Sequence, residues 1–209
     1  MGTSSDPRLS KKVGRFYCGR LAVRTLRIQD ATDRMTAWLS DPEALEILNV
    51  PARRLTKTDI ANHIRGFDQR THLLGGIFDR SNNMLVGILQ LDIDYRLNRA
   101  LVNLLIGEPA YRNLGVTTEI FIPALDYGFI NFGIDVMVAN VLLRHSTLVR
   151  YLMKTGWKMD PKAKGQIKSA VDGTMLDVQT FTLSRSDWNA WKQTDRAKRI
   201  IQILKSRKP

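Results

Sequence analysis

Apolar and polar positions alternate along "LAVRTL" (21–26) closely enough to predict a first strand, after an opening stretch, 1–19, that reads as polar and loose. "ATDRMTAWL" follows with a helical pattern that Asp30 or Thr32 can cap, and "SDPEA" interrupts it, with Pro42 supplying a stop or a new start. Thr56 and Asp59 have the spacing of a capping box ahead of "IANHIRGF". Two strand-like runs, "HLLGGIFD" and "MLVGILQLDID", flank "RSNN", a hairpin turn. After "YRLNR" the segment "ALVNLLIG" is apolar enough to be a central strand buried on both faces.

The stretch "IGEPAYRNLGVTTEI" (106–120) leaves that strand and enters a helix expected from about Val116 to Phe132, with Pro123 inside it as a kink or a late first turn. "IDVMVANV" returns as a strand, and "STLVRYLMKTG" is a short amphipathic helix for which Gly156 is the natural terminator. "WKMDP" and "TMLDVQTFTL" are the last two strands. Ser184 or Ser186 then caps a final helix carrying Trp188, Trp191, Ile200, Ile201 and Leu204 at roughly helical spacing. Hairpin strands make the sheet mostly antiparallel, while the strand–helix–strand crossover around 100–141 adds a parallel pair. The expected fold is therefore α+β: a mixed sheet of about seven strands flanked by helices, with an extra C-terminal helix.

Length and composition leave that picture intact. The chain has 209 residues, 44% hydrophobic and 25% charged, which suits one globular domain. We expect a basic segment over 1–19, the domain over 20–185 and a basic amphipathic helix over 186–209. No apolar run approaches the ~20 residues that span a bilayer, and the opening "MGTSSDPRLSKK" lacks the apolar core of a secretory signal. A single cysteine, Cys18, excludes an internal disulfide and fits a reducing cytoplasm. His63, His72 and His145 are far apart in sequence, so no metal site is expected.

The net charge of +12 does change the picture. Basic residues crowd both ends, from Arg8 to Arg20 and from Lys192 to Lys208, and such a field attracts phosphorylated cofactors, RNA or the ribosome. A merely solvated surface explains it equally well, and the termini lack a basic motif interleaved with aromatics. A cationic acceptor is weakly disfavoured.

The 106–120 stretch carries the candidate chemistry. A helix N-terminus leaves backbone N–H groups without intrahelical partners and places positive potential there. Gly115 permits a positive φ or a close backbone approach. Arg112 can add a charge-assisted contact to a phosphate, and Thr117 and Thr118 supply hydroxyls in the first turn. An ordinary strand-to-helix turn remains the alternative. Neither a GxxxxGK[ST] nor a GxGxxG loop is present.

The order of segments sharpens this. The loop follows a central strand of a mixed sheet, and "YLMKTGW" comes one strand later. "GRLAVRTLRIQDATDRMTAWLSDPEA", "LVGILQLDIDYRLNRALVNLLIGEPAYRNLG" and "DGTMLDVQTFTLSRSDW" complete a likeness running from about Gly19 to Trp191. Together these resemble the GCN5-related N-acetyltransferase (GNAT) superfamily, in its branch of ribosomal-protein-alanine acetyltransferases (RimJ/RimL-like). The resemblance implies acetyl-CoA as cosubstrate. The amides of Arg112, Asn113, Leu114, Gly115, Val116 and Thr117 would hold its pyrophosphate, and Leu104, Leu105 and Ile106 would pair with its pantetheine arm. A backbone N–H of that strand would serve the oxyanion. Thr117 stands where the family pattern keeps a small residue.

The acid and base depart from the family. Val102 and Asn103 stand where a glutamate is common, and Leu152 occupies the usual place of a tyrosine, with Tyr151 one residue earlier. His145, Ser146 and Tyr151 are the catalytic candidates nearest the thiol, and Asp92, Asp94 and Glu108 are the nearby carboxylates. Each has a plainer reading: His145 or Ser146 as a helix cap, Tyr151 as core. Trp38 and Trp157 read as core, or as lining of the acceptor site. The resemblance thus implies an enzyme that acetylates a primary amine, on a protein N-terminus, an amino sugar or another small molecule. A non-catalytic acyl-CoA-binding relative is the alternative. A homodimer is compatible with the sequence.

Overall fold

The computed structural model describes residues 14–38, 40–112 and 114–207. Among these residues eight strands form one sheet in the order β1-β2-β3-β4-β5-β6-β8-β7. They are β1 (Phe16–Cys18), β2 (Leu21–Thr25), β3 (His72–Asp79), β4 (Leu85–Asp94), β5 (Arg99–Ile106), β6 (Val136–Leu142), β7 (Lys158–Lys168) and β8 (Met175–Ser184). Every neighbouring pair is antiparallel except β5 and β6, the parallel pair that the crossover predicts. The count exceeds the expected seven by β1, within the stretch read as loose. Three residues show no periodicity; pairing with β2 and a Phe16–Tyr127 ring stack hold this strand.

Among the described residues seven helices flank the sheet: α1 (Asp33–Trp38), α2 (Pro42–Leu48), α3 (Lys57–Arg65), α4 (Val116–Asn131), α5 (Ser146–Lys154), α6 (Arg185–Gln193) and α7 (Asp195–Ser206). Along β3, alternate side chains serve opposite faces. Leu74 and Phe78 join Met35, Trp38, Ile60 and Ile64 of α1 and α3, whereas Leu73 and Ile77 face the side covered by α4. Helix α4 runs unbroken through Pro123, which forgoes one backbone hydrogen bond. Asp30 does not cap α1; it ends a separate 3-10 turn, Ile28–Asp30, and takes the Arg24 guanidinium through two 2.7 Å hydrogen bonds.

The C-terminal helix expected as one element is two. Thr194 adopts extended backbone, its hydroxyl donates to the Trp191 carbonyl and accepts from Ala197 N–H, and the chain turns there. The α7 residues Ile200, Ile201 and Leu204 pack on the main core. Its far end brings Arg207 to the wholly buried carboxylate of Glu119 on α4, which Arg20 also faces. Among the described residues no helix is long and apolar enough to cross a membrane.

Candidate functional site

The parallel pairing of β5 with β6 covers Arg99 to Leu101 against Val136 to Val138 and goes no further. Both strands continue, β5 to Ile106 and β6 to Leu142, so they diverge and open a V at their C-terminal ends. On its other edge β5 stays paired with β4 to the end, Leu104 against Leu89 and Ile106 against Gly87. Among the described residues no strand pairs with the edge of β5 over Leu104, Leu105 and Ile106 that faces the V, which leaves it open to an extended amide-bearing chain. One acceptor there is taken: the Ile106 carbonyl receives Arg112 Nε at 3.1 Å.

The loop after β5 turns through Pro109–Tyr111 and enters α4 at Gly115, whose φ of 73° is left-handed. A β-carbon on Gly115 would meet nothing within 4 Å, and a glycine cap has no side chain to fill the first turn. The amides of Val116, Thr117 and Thr118 therefore end a helix whose N-terminus is open, as an anion cradle requires. Val116 is buried, Leu114 is exposed, and Asn113 lies outside the described residues.

Arg112 is not turned to that cradle. Its guanidinium is buried among acceptors: Ile106 and Gly107 carbonyls at 3.1 and 2.8 Å, and the Asp41 and Glu43 carboxylates at 2.8 Å each. Its backbone N–H bonds Pro109 O. Beside it, Trp38 packs directly on Gly107, where a β-carbon would come within 2.0 Å of the indole. Trp38 and Trp157 are both core residues, 4% and 2% exposed. Trp38, Asp41 and Glu43 together are thus the seat of the loop, a relation that sequence spacing does not reveal.

The catalytic candidates sit where β6 gives way to α5. His145 is the N-cap of α5, yet its side chain makes no cap bond. Its Nε2 is buried and has no hydrogen-bond partner among the described residues. Burial and the Arg144 cation push this imidazole below its ordinary value, against the pull of Glu46. Ser146 is exposed at the first turn of α5. Tyr151 lies six residues beyond His145, so it faces about 120° round the helix. Its ring meets Phe121 edge-on, and its hydroxyl bonds Thr118 in the first turn of α4. Burial pushes Tyr151 up to about 12, so it stays protonated, while the Thr118 bond pulls the other way.

The three carboxylates are engaged elsewhere. Asp92 accepts from Gln90 at 2.7 Å and pairs with His72 at 2.9 Å; Asp94 caps the turn to β5 through Arg96 and Leu97 N–H; Glu108 pairs with Arg34. Sequence reasoning missed the partnerships of Thr118 with Tyr151, and of Glu46 with Arg144 beside His145. Among the described residues no group of His, Cys, Asp and Glu could hold a metal ion.

Residues 20–158 match the family profile of the acetyltransferase (GNAT) domain. No curated protein matches the sequence. Among solved structures the chain is similar to ribosomal-protein-S5-alanine acetyltransferase from Vibrio fischeri, at 14% identity and a TM-score of 0.71, over 84% of this chain and 98% of that one. It is similar to spermidine N-acetyltransferase from Vibrio cholerae, solved with CoA and spermine, at 15% identity and a TM-score of 0.72, over 81% and 98%. A GCN5-related N-acetyltransferase from Brucella melitensis aligns at 17% identity and a TM-score of 0.69, over 88% and 84%. At such identities the likeness is one of fold.

Proposed function

The chain belongs to the GNAT acetyltransferase family, whose cosubstrate is acetyl-CoA, and from that premise we propose that it acetylates a primary amine by direct attack in a ternary complex. The observation that carries the reading is the open V between β5 and β6 leading to the uncapped turn at Gly115. A pantetheine arm fits the free edge at Leu104 and Leu105, and the amides from Leu114 to Thr117 fit a pyrophosphate.

Acetyl-CoA supplies the acetyl thioester. The half-buried His145 imidazole takes one proton from the incoming ammonium, and the neutral amine forms the C–N bond at the thioester carbon. A backbone N–H of Leu104–Ile106 receives the oxyanion. The C–S bond breaks as the Tyr151 hydroxyl gives its proton to the departing sulfur, and the new amide nitrogen sheds its second proton to water. Tyr151 is then reprotonated from His145 through solvent. The exposed Ser146 hydroxyl accepts a hydrogen bond from the incoming ammonium and has no part at the thiol.

The acceptor is a primary amine: a protein N-terminus, a polyamine, which the net charge of +12 weakly disfavours, or an amino sugar. The names of the solved relatives, one acting on a ribosomal-protein alanine and one on spermidine, support the first two. A thiol-release assay with acetyl-CoA and an N-terminal alanyl peptide, spermidine and glucosamine tests this. Turnover with one of them is expected. Tight acetyl-CoA binding without release across the panel favours the non-catalytic acyl-CoA-binding reading. The basic termini and a homodimer remain separate proposals: nucleic acid or ribosome contact predicts salt-sensitive RNA retention, and a dimer predicts a doubled mass in solution.

A further inference from the structure

Helix α2 is only 7 residues long, too short to hold itself in water, so its position is set by what grips it. At its N-terminal end Asp41 and Glu43 take the Arg112 guanidinium. Midway, Arg144 donates to the Glu46 carbonyl and faces its carboxylate. At its far end the Asn49 side chain donates to Lys168 O at 3.1 Å and accepts from Ala170 N–H at 2.9 Å. The helix therefore runs from the loop after β5, past the turn that carries His145, to the β7–β8 hairpin. It crosses the open end of the V.

The first grip differs from the other two in kind. The same guanidinium that holds Asp41 and Glu43 also holds the Ile106 and Gly107 carbonyls. A guanidinium is a rigid planar fork, so its two sets of acceptors share one geometry. Moving the start of α2 by an ångström moves the exit of β5, and with it the turn into Gly115.

We propose that Arg112 is a strut coupling the acetyl-CoA loop to helix α2, which makes Asp41 and Glu43 positioning residues for the cosubstrate and lets bound cosubstrate order α2. The inference rests on the acetyl-CoA reading of the loop. Coupling between binding equilibria is reciprocal: loosening the start of α2 weakens acetyl-CoA binding, and acetyl-CoA in turn tightens α2.

Titration calorimetry with CoA tests it on the wild type and on the double variant Asp41→Asn/Glu43→Gln. Asparagine caps a helix as well as aspartate, so α2 keeps its cap and loses only the charge at Arg112. Glu43→Gln alone, at a half-exposed carboxylate, is the milder variant that preserves the fold. Glu46→Gln is the control, on the same helix but paired with Arg144. Hydrogen exchange across residues 41–48 is followed with and without CoA. The double variant is expected to bind about tenfold more weakly, Glu43→Gln about threefold, and Glu46→Gln within about twofold of wild type. CoA is expected to slow exchange of α2 in the wild type and not in the double variant. Equal affinity of wild type and double variant, or equal protection of α2 in both, overturns the strut. A wild type that binds no CoA overturns the loop reading itself, and the strut with it.

Discussion

Arg112 Nη1 lies 2.8 Å from Asp41 Oδ1, so the loop that leads into α4 is fastened to the cap of α2. Asp41 also accepts Ala44 N–H at 2.8 Å, and these partners hold its carboxyl below the usual range although burial alone would raise it. With its guanidinium almost wholly buried, removing Arg112 strands two carboxylates and two carbonyls. Arg112→Ala is expected to lower the unfolding free energy by about 2 kcal/mol, discounted because both carboxylates are partly solvated. Arg112→Lys, with one charge and no fork, recovers less than half. Urea denaturation checks this, and unchanged stability of the alanine variant contradicts the buried network.

The pH dependence of the rate separates the histidines. His145 is depressed, so its folded value lies below the ordinary 6.5. It is neutral at pH 7, and the stability it contributes is present above about 6.5 and is lost as pH falls. The acid limb of kcat/KM should therefore fall below pH 6.5 and vanish in His145→Gln. His72 is raised by its hydrogen bond to Asp92, so its inflection lies higher. An acid limb that survives in His145→Gln and disappears in His72→Gln contradicts the assignment of the base to His145.

Tyr151→Phe removes a hydroxyl and leaves the ring against Phe121. As general acid its loss should reduce kcat by about a hundredfold. Stability should fall by only about 1 kcal/mol, from the lost Thr118 bond. Steady-state kinetics beside thermal unfolding tell the two apart; a variant that loses stability but keeps kcat makes Tyr151 a packing residue.

Helix α7 closes over α4 through Ile200, Ile201 and Leu204, and Arg207 meets Glu119 at 3.2 Å. Deleting residues 195–209 should cost about 3 kcal/mol, from roughly three half-buried aliphatic side chains and an unbalanced carboxylate. For a domain of this size that is a fall of about 8 °C in Tm. An unchanged melting temperature would mean that the helix contributes nothing to the domain.

Where a signal is local, the sequence carried it. The capping box at Thr56 and Asp59, the Ser184 cap of α6 and the parallel crossover all appear as expected, because each rests on neighbours a few residues apart or on one long apolar run. The family likeness was legible for the same reason, through ordered segments. The carboxylates that hold Arg112 were not: Glu43 is 69 residues away, and an arginine ahead of a glycine reads as a phosphate ligand until its partners are seen. Tyr151 stands one place before the usual tyrosine position, and only the packing of α5 on α4 gives its hydroxyl to Thr118.

The central claim is that acetyl-CoA lies in the V between β5 and β6 with its pyrophosphate on the turn at Gly115. Gly115 adopts φ 73° and faces open space, so a glutamate there adds modest strain of about 1 kcal/mol and a repelling charge where the phosphates bind. Calorimetric titration of acetyl-CoA into wild type and Gly115→Glu, with melting curves for both, tests it most directly. We predict low-micromolar binding by the wild type and none by the variant, with melting temperatures within a few degrees. Equal binding by both proteins, or no binding by the wild type, would contradict the account.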